Sequence, residues 1–227
     1  MDLFSERKNR LSDSPHVELI QHARVANGGT TIRPGEMHWH MVLARHNGES
    51  MLLIVGPWTS SGVVSVPEDA EVLWIKFKLG AFMPHLPTRE FLNTETILPG
   101  AASSSFWLHG SAWQFPDYEN VDTFVARLAR EEVLVHDPLV DAVLQDHPQQ
   151  LSARAVRHRF LRATGLTQSH VRQFERAQRA AALLQQGVSI LDTAFQVGYF
   201  DQPHLTRSLK HWIGHTPAQL SRLAVPA

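Results

Sequence analysis

The chain of 227 residues contains no cysteine. Disulfide bonds, thiolate metal sites and cysteine nucleophiles are therefore excluded. No apolar run approaches the roughly 18 residues of a membrane span, and the polar N-terminal stretch lacks the apolar core of a signal peptide. These absences lead us to expect a soluble, cytoplasmic protein with no membrane partner.

Charge is unevenly distributed along the chain, although the net charge is only −1. Residues 151–227 contain nine Arg and one Lys against three acidic residues, a net charge of +7. The first 150 residues contain 11 basic and 19 acidic residues, a net charge of −8. A basic C-terminal third behind an acidic remainder is typical of a polyanion-binding module joined to another domain.

The N-terminal half has the pattern of short strands separated by turn residues. Residues 1–15 are polar, and we expect them to be frayed. The dipeptide Asn47-Gly48 predicts a tight hairpin turn. Residues 71–78 have the alternation of a strand, with Val72, Trp74 and Lys76 on one face and Leu73, Ile75 and Phe77 on the other. Short strands at this spacing, with glycine and proline turns, predict an antiparallel sandwich or barrel.

His38 and His40 are the residues of this half that suggest metal chemistry. Two histidines one residue apart on a strand point to the same side, so they could bind one metal ion. Cupin barrels use such a pair with a glutamate a few residues further on, but here the first carboxylate is Glu49, beyond the hairpin turn. We therefore expect no metal and no cofactor, and two hydrogen-bonded histidines on a strand.

The end of the chain has the pattern of a helix-turn-helix. Residues 190–197 predict an apolar helix that stops at Gly198, and Asp201 caps a second helix over 201–212. The face opposite the apolar stripe of this second helix is cationic and rich in hydrogen-bonding groups. A DNA-reading unit and an ordinary helical hairpin with a solvated face both fit this geometry.

Two further helices precede this unit. Ser152 caps a helix over 152–162 that Gly165 ends, and residues 168–186 predict a long helix. About 20 residues at 1.5 Å each span roughly 30 Å. That length is close to the separation of about 34–36 Å between successive major-groove faces of DNA. The long helix is therefore expected to hold helices 152–162 and 201–212 in adjacent major grooves.

This C-terminal segment resembles the AraC-type transcription regulators. The resemblance is carried by Ala194, Gly198, Tyr199, Asp201, Gln202, Pro203, His204, Leu205, Thr206, Arg207, Leu209, Lys210, Gly214, Thr216 and Pro217. The tripeptide Thr164-Gly165-Leu166 also looks like the end of the family's first recognition helix. The family normally places two helices before that one, whereas only the short segment 138–146 is available here.

The resemblance implies a sequence-specific regulator that binds double-stranded DNA and is not an enzyme. DNA contacts are expected from Arg154, Arg157, His158, Arg162, Gln202, His204, Thr206, Arg207 and Lys210. RNA polymerase and a second copy of the chain are implied as further partners. A cupin-type metalloenzyme with a helical appendage and a module whose basic face binds an acidic protein are the alternatives.

The resemblance also implies an α+β fold. It consists of an antiparallel, cupin-like barrel over residues 1–118, linker helices over 119–150, and an all-α domain over 151–227. In that domain, two helix-turn-helix units are joined by a long helix. The barrel is expected to bind a small-molecule effector, with contacts from His38, Trp39, His40 and Trp74. The aromatic side chains fit a core equally well, and the helix predicted over 120–135 either packs on the barrel or carries dimer contacts.

Overall fold

The computed structural model describes residues 4–223. Its strands are β1 (Phe4–Leu11), β2 (Val17–Val25), β3 (Gly29–Arg33), β4 (His40–His46), β5 (Glu49–Val55), β6 (Gly62–Val66), β7 (Glu71–Phe77), β8 (Ala81–Phe82), β9 (Glu95–Ile97), β10 (Gly100–Ala102), β11 (Ser105–Leu108), β12 (Ser111–Gln114) and β13 (Val135–His136). The helices are α1 (Val121–Arg130), α2 (Pro138–Leu144), α3 (Ala153–Thr164), α4 (Gln168–Gln185), α5 (Ile190–Gln196), α6 (Gln202–Trp212) and α7 (Pro217–Arg222). A 3₁₀ helix covers Thr88–Phe91.

The chain divides into two compact units, and each unit is made of three separate segments of the sequence. The first unit contains residues 4–30, 38–57 and 65–167, and the second contains residues 31–37, 58–64 and 168–223. Antiparallel sheets precede a helical C-terminal region with two helix-turn-helix units, which confirms the predicted α+β fold class. The domain boundaries at residues 118 and 150 stay predictions.

A six-stranded sheet with the order β1-β2-β7-β4-β5-β9 dominates the first unit. The neighbours in this sheet pair antiparallel. The hairpin between β4 and β5 turns at Asn47 and Gly48, whose φ angles are 51° and 79°. Two consecutive residues with positive φ match the right-handed twist of the flanking strands, so the predicted hairpin is confirmed.

The core of the first unit lies on one face of this sheet. Leu73, Ile75 and Phe77 enter it from β7, and the apolar face of α1 packs into the same cluster. Val72 and Trp74 belong to a smaller apolar cluster instead. The alternation that the sequence shows over residues 71–78 therefore separates two apolar surfaces of one strand.

The beginning of the chain is a strand, so the expectation of a frayed end is wrong from residue 4 onward; residues 1–3 lie outside the described residues. β1 pairs with β2 from Phe4 opposite Val25 to Leu11 opposite Leu19. The Arg10 guanidinium also donates to the carboxylate of Asp122 in α1. The polar sequence of β1 reflects an edge strand whose side chains are mostly exposed and whose backbone is paired.

The helix predicted over 120–135 is shorter than expected. α1 ends at Arg130, and Glu132 adopts a left-handed backbone conformation with φ 55°. The N–H groups of Val133 and Leu134 both donate to the carbonyl of Leu128, at 2.9 and 3.2 Å. This turn directs both side chains into the core, so tertiary burial ends the helix before its apolar periodicity does.

The long helix α4 organises the second unit, where it packs against α5, α6 and α7. It has 18 residues, which corresponds to about 27 Å at 1.5 Å per residue. Val171, Phe174 and Leu184 are among its buried side chains, as the predicted apolar stripe requires. No helix within residues 4–223 has both the length and the apolar character needed to cross a membrane.

Replacing Gly56 tests the packing of the first unit. A Cβ at this position would overlap the carbonyl oxygen of Phe91, whereas a Cβ at Gly100 meets nothing within 4 Å. Gly56→Ala should lower the free energy of unfolding by about 1–3 kcal/mol, because backbone atoms must move to accept the methyl group. Urea denaturation measures this change, with Gly100→Ala as the matched control. Equal stability of the two variants would contradict the close approach of Gly56 to Phe91.

Candidate nucleic-acid interface

The second helix-turn-helix consists of α5, the turn at residues 197–201, and α6. Gly198 has a φ of 75°, a left-handed conformation that glycine adopts readily. The N–H of Tyr199 donates to the carbonyl of Ala194 at 2.9 Å, which closes the end of α5. The Asp201 carboxylate accepts from the N–H of His204 at 2.6 Å and so caps α6. The structure thus contains the turn and the cap that the sequence predicts.

The inner face of α6 is the predicted apolar stripe. Leu205, Leu209 and Trp212 are buried. The Trp212 ring meets the Phe174 ring of α4 edge-on, with 5.8 Å between the ring centroids. Because α4 packs against this face, the opposite face of α6 is left to solvent.

Tyr199 fixes the turn to α6 and α4. Its side chain is buried, and its hydroxyl lies 2.8 Å from the Ser208 hydroxyl of α6. The guanidinium of Arg176 in α4 lies 4.8 Å from the centre of the Tyr199 ring. The ring of His204 meets the same ring edge-on at 5.1 Å. These contacts hold the beginning of α6 in one orientation.

The C-terminal end of α6 is bound by residues from the N-terminal half of the sequence. The N–H groups of Gly35 and Ser61 donate to the carbonyls of Trp212 and His211, at 2.6 and 2.7 Å. The Ser61 hydroxyl donates to the carbonyl of Lys210 at 3.0 Å. The last carbonyls of a helix have no partner within the helix, so these bonds complete α6.

Sequence reasoning missed this capping of α6, because the partners are at least 149 residues apart in the chain. The one local signal is Gly35. A Cβ there would lie 3.2 Å from two atoms of Trp212 and from the carbonyl oxygen of Trp58. A glycine is consistent with this close approach, although the sequence does not say which segment approaches it.

The five residues of α6 that are predicted to contact DNA reach solvent. Gln202, Arg207 and Lys210 are exposed, and His204 and Thr206 are half-buried. The helix therefore presents amide, hydroxyl, imidazole and cationic groups on the surface that α4 does not cover. These groups can donate to base edges and to phosphate oxygens.

The first helix-turn-helix consists of α2, the segment 145–152 and α3. The helix directly before α3 is α2, which has seven residues, as many as α5 has in the second helix-turn-helix. The Ser152 hydroxyl accepts from the N–H of Ala155 at 3.3 Å, and Gly165 ends α3 with a φ of 75°. The predicted cap and the predicted end of α3 are thus both present, behind a short supporting helix.

Neighbouring segments of the first unit bind α3. Arg159 donates from two nitrogens to the carboxylate of Asp137, at 3.1 and 2.6 Å. The Thr88 hydroxyl donates to the carbonyl of Arg162 at 2.8 Å. A Cβ at Gly165 would lie 3.0 Å from the carbonyl oxygen of Thr88, so this glycine permits the close approach.

The four residues of α3 that are predicted to contact DNA, namely Arg154, Arg157, His158 and Arg162, are all exposed. His158 and Arg162 border a cavity of about 300 Å³, which is lined by Phe82, Pro84, Leu86, Pro87, Thr88, Arg89, His158, Leu161 and Arg162. The predicted DNA contacts thus lie on two helices, α3 in the first unit and α6 in the second.

The two tryptophans that are predicted to bind an effector lie in different places. Trp39 is only 4% exposed and lies in the core, with its ring 5.4 Å from that of Phe91. Trp74 meets Phe4 edge-on at 6.1 Å and borders a cavity of about 220 Å³. These two tryptophans belong to different apolar clusters, so their roles as effector contacts stay predictions.

His38 takes part in an ion-pair cluster on the first unit. Its Nε2 lies 2.8 Å from a Glu18 carboxylate oxygen, and the Lys76 ammonium lies 3.3 Å from the other oxygen. His40 is opposite Lys76 in the pairing of β4 with β7. Within residues 4–223, no three histidine, cysteine, aspartate or glutamate side chains are arranged to hold a metal ion.

The Glu18 carboxyl group is strongly acidic in this cluster. Burial alone would raise the pKa of Glu18, but the hydrogen bond and charge of His38, followed by those of Lys76, lower the pKa to about 2. Because the ordinary pKa is 4.5, the unfolded chain binds a proton at a higher pH than the folded chain does. The resulting stabilisation is complete above that ordinary value and is lost as the pH falls toward 2.

The basic C-terminal segment and its helix-turn-helix geometry are matched by a known family. Residues 149–222 match the profile of the helix-turn-helix domain family. Such domains define a class of DNA-binding transcription regulators. The match confirms the resemblance in this segment, which is an AraC-type helix-turn-helix domain. No curated protein matches the chain significantly.

Solved structures of ToxT from Vibrio cholerae align with the chain. The structure from strain O395 is 10% identical, covers 92% of this chain and 98% of that chain, and has a TM-score of 0.40. The structure bound to (E)-4-(8-methylnaphthalen-1-yl)but-3-enoic acid is also 10% identical, covers 97% and 100%, and has a TM-score of 0.41.

Replacing Glu18 tests the ion-pair cluster. Glu18→Gln should lower the free energy of unfolding above about pH 4.5, where the unfolded carboxyl is ionised. The difference from the wild type should shrink as the pH falls from about 4.5 and vanish only below about pH 2, where the folded carboxyl is also protonated. Urea denaturation at a series of pH values measures this, with the exposed Glu68→Gln as control. A difference that does not change with pH would contradict the cluster.

Proposed function

We propose that the chain is a sequence-specific transcription regulator in which α6 reads bases, α3 supplies further affinity, and the sheet-rich N-terminal part binds a small organic effector. The observation that carries the proposal is the outer face of α6. This face is exposed, cationic and fixed at both ends, and it lies within the segment that matches the helix-turn-helix family.

Base reading is assigned to Arg207 and phosphate binding to Lys210. Both side chains are exposed on α6. The planar fork of arginine can bind the O6 and N7 atoms of guanine together, whereas the lysine ammonium acts as a point charge. Gln202 is the first residue of α6. The N-terminal residues of a recognition helix are the ones that contact base edges.

The helix α3 is assigned mainly to affinity. Arg154 and Arg157 are exposed, whereas Arg159 is already paired with Asp137. Positive charge on a helix attracts phosphates of every sequence, while base discrimination needs a helix held in a defined position. The helices directly before α3 and α6 are equally long, at seven residues each, so the assignment rests on the exposed positive charge of α3 and on the hydrogen-bonding groups of α6.

Effector binding is proposed for the first unit because its sheet carries cavities bordered by aromatic and polar side chains. One cavity of about 220 Å³ is lined by Leu43, Leu73 and Tyr118 together with Lys8, His22, Arg45, Glu71, Asp117 and Glu119. A concave site that combines apolar and polar side chains is suited to a small organic molecule that carries polar groups. RNA polymerase and a second copy of the chain stay predictions from the resemblance.

Single substitutions on α6 test the proposed division between base and phosphate contacts. Arg207→Ala should cost about 1–3 kcal/mol of binding free energy and relax specificity at one base position. Lys210→Ala should weaken binding to all sequences alike and lower the salt slope by about one unit. Dissociation constants over a randomised operator library, at several salt concentrations, measure both effects. A uniform loss over the library for Arg207→Ala would overturn its assignment as a base reader.

Ligand-dependent stability tests the proposed effector site. A small organic molecule that binds the folded chain should raise the melting temperature in proportion to the logarithm of its concentration. EDTA should leave the melting temperature unchanged, because the proposed site contains no metal. A Tyr118→Ala variant should lose the ligand-induced increase if the cavity beside Leu43 and Leu73 is the site. A large drop in the melting temperature with EDTA would instead indicate metal binding by His38 and His40.

A further inference from the structure

Phe200 exposes 93% of its surface to solvent. It directly precedes Asp201, the residue that caps α6. An apolar ring of this size gains free energy when it leaves water. The Phe200 ring is not buried by the fold, so a binding partner can bury it at the N-terminal end of α6.

The position of Phe200 is fixed by the residues on either side of it. Tyr199 is buried and lies within hydrogen-bonding distance of Ser208. Asp201 is held by the N–H of His204. Since the backbone on both sides is anchored, binding orders little more than the Phe200 ring itself. A partner therefore meets a preorganised apolar contact.

The partner at this position follows from the proposed function, on which this inference rests. The first residues of a recognition helix contact base edges in the major groove. Phenylalanine has no hydrogen-bonding group, so it cannot read the donors and acceptors of those edges. The apolar group that the major groove offers is the C5-methyl of thymine. We infer that Phe200 contacts a thymine methyl group in the operator and helps to determine its sequence.

The experiment compares thymine with uracil, which lacks the C5-methyl group. The full wild-type chain first selects its operator from a randomised duplex library. Each thymine of that operator is then replaced singly by deoxyuridine, and dissociation constants are measured for the wild type and for Phe200→Ala. Phe195→Ala is the matched control, because Phe195 lies on α5 and is 87% exposed. The melting temperature of each variant checks its folding, and Phe200→Ser provides a second variant.

At one thymine position, uracil should weaken wild-type binding about fourfold, the effect of taking one methyl group out of an apolar contact. The same replacement should have no effect in Phe200→Ala or Phe200→Ser. Phe195→Ala should keep the wild-type response to uracil. This coupling between one side chain and one methyl group distinguishes a direct contact from a general weakening of DNA binding.

Two results would overturn the inference while leaving the proposed function intact. The first is that Phe200→Ala binds the selected operator as tightly as the wild type, so that Phe200 serves another partner. The second is that uracil weakens the wild type and Phe200→Ala equally at every position. Failure of the wild-type chain to select any sequence would instead contradict the proposed function, and this inference with it.

Discussion

The proposed recognition surface depends on the fixing of α6 at both of its ends. At the beginning, Asp201 caps the helix and Tyr199 is bound to Ser208. At the end, Gly35 and Ser61 donate to the last carbonyls. A recognition helix discriminates bases only when its side chains are held in a defined position, since charge alone attracts every DNA sequence. Under the proposed function, the hydrogen bonds at its two ends therefore matter more to base discrimination than the number of its basic residues.

The C-terminal end of α6 is completed by segments that lie far from it in the sequence. Gly35 follows β3, and Ser61 precedes β6, and these two strands pair with each other. Gly35, Ser61 and α6 belong to the same compact unit. This unit therefore includes two short segments from the N-terminal half of the chain.

The sequence predicts those features of the structure that depend on neighbouring residues. The caps at Ser152 and Asp201, the glycine at 198 and the Asn47-Gly48 turn are local, because each is determined within four residues. The apolar stripes of α4 and α6 are similarly readable, since burial follows the helical period. The helix-turn-helix, which consists of such elements, is therefore the best predicted part of the chain.

Features that depend on distant partners could not be predicted in the same way. β1 looks like a disordered polar end, because its order comes from pairing with β2 and from the bond between Arg10 and Asp122. α1 ends before its periodicity does, because Val133 and Leu134 turn into the core. The contacts of Gly35 and Ser61 with α6 have one local signal, the glycine at position 35, which does not identify the segment that approaches it. In each case the deciding interaction joins residues that the sequence does not relate.

The most direct test of the account compares specific with non-specific binding after replacing either recognition helix surface. Dissociation constants for the selected operator and for random duplex DNA are measured at one fixed salt concentration. One triple variant replaces Gln202, Thr206 and Arg207, and the other replaces Arg154, Arg157 and His158. The account predicts that the first triple variant binds operator and random DNA with nearly equal dissociation constants, and that the second triple variant binds both more weakly by similar factors. An equally large loss of preference for the operator in the second triple variant would contradict the account.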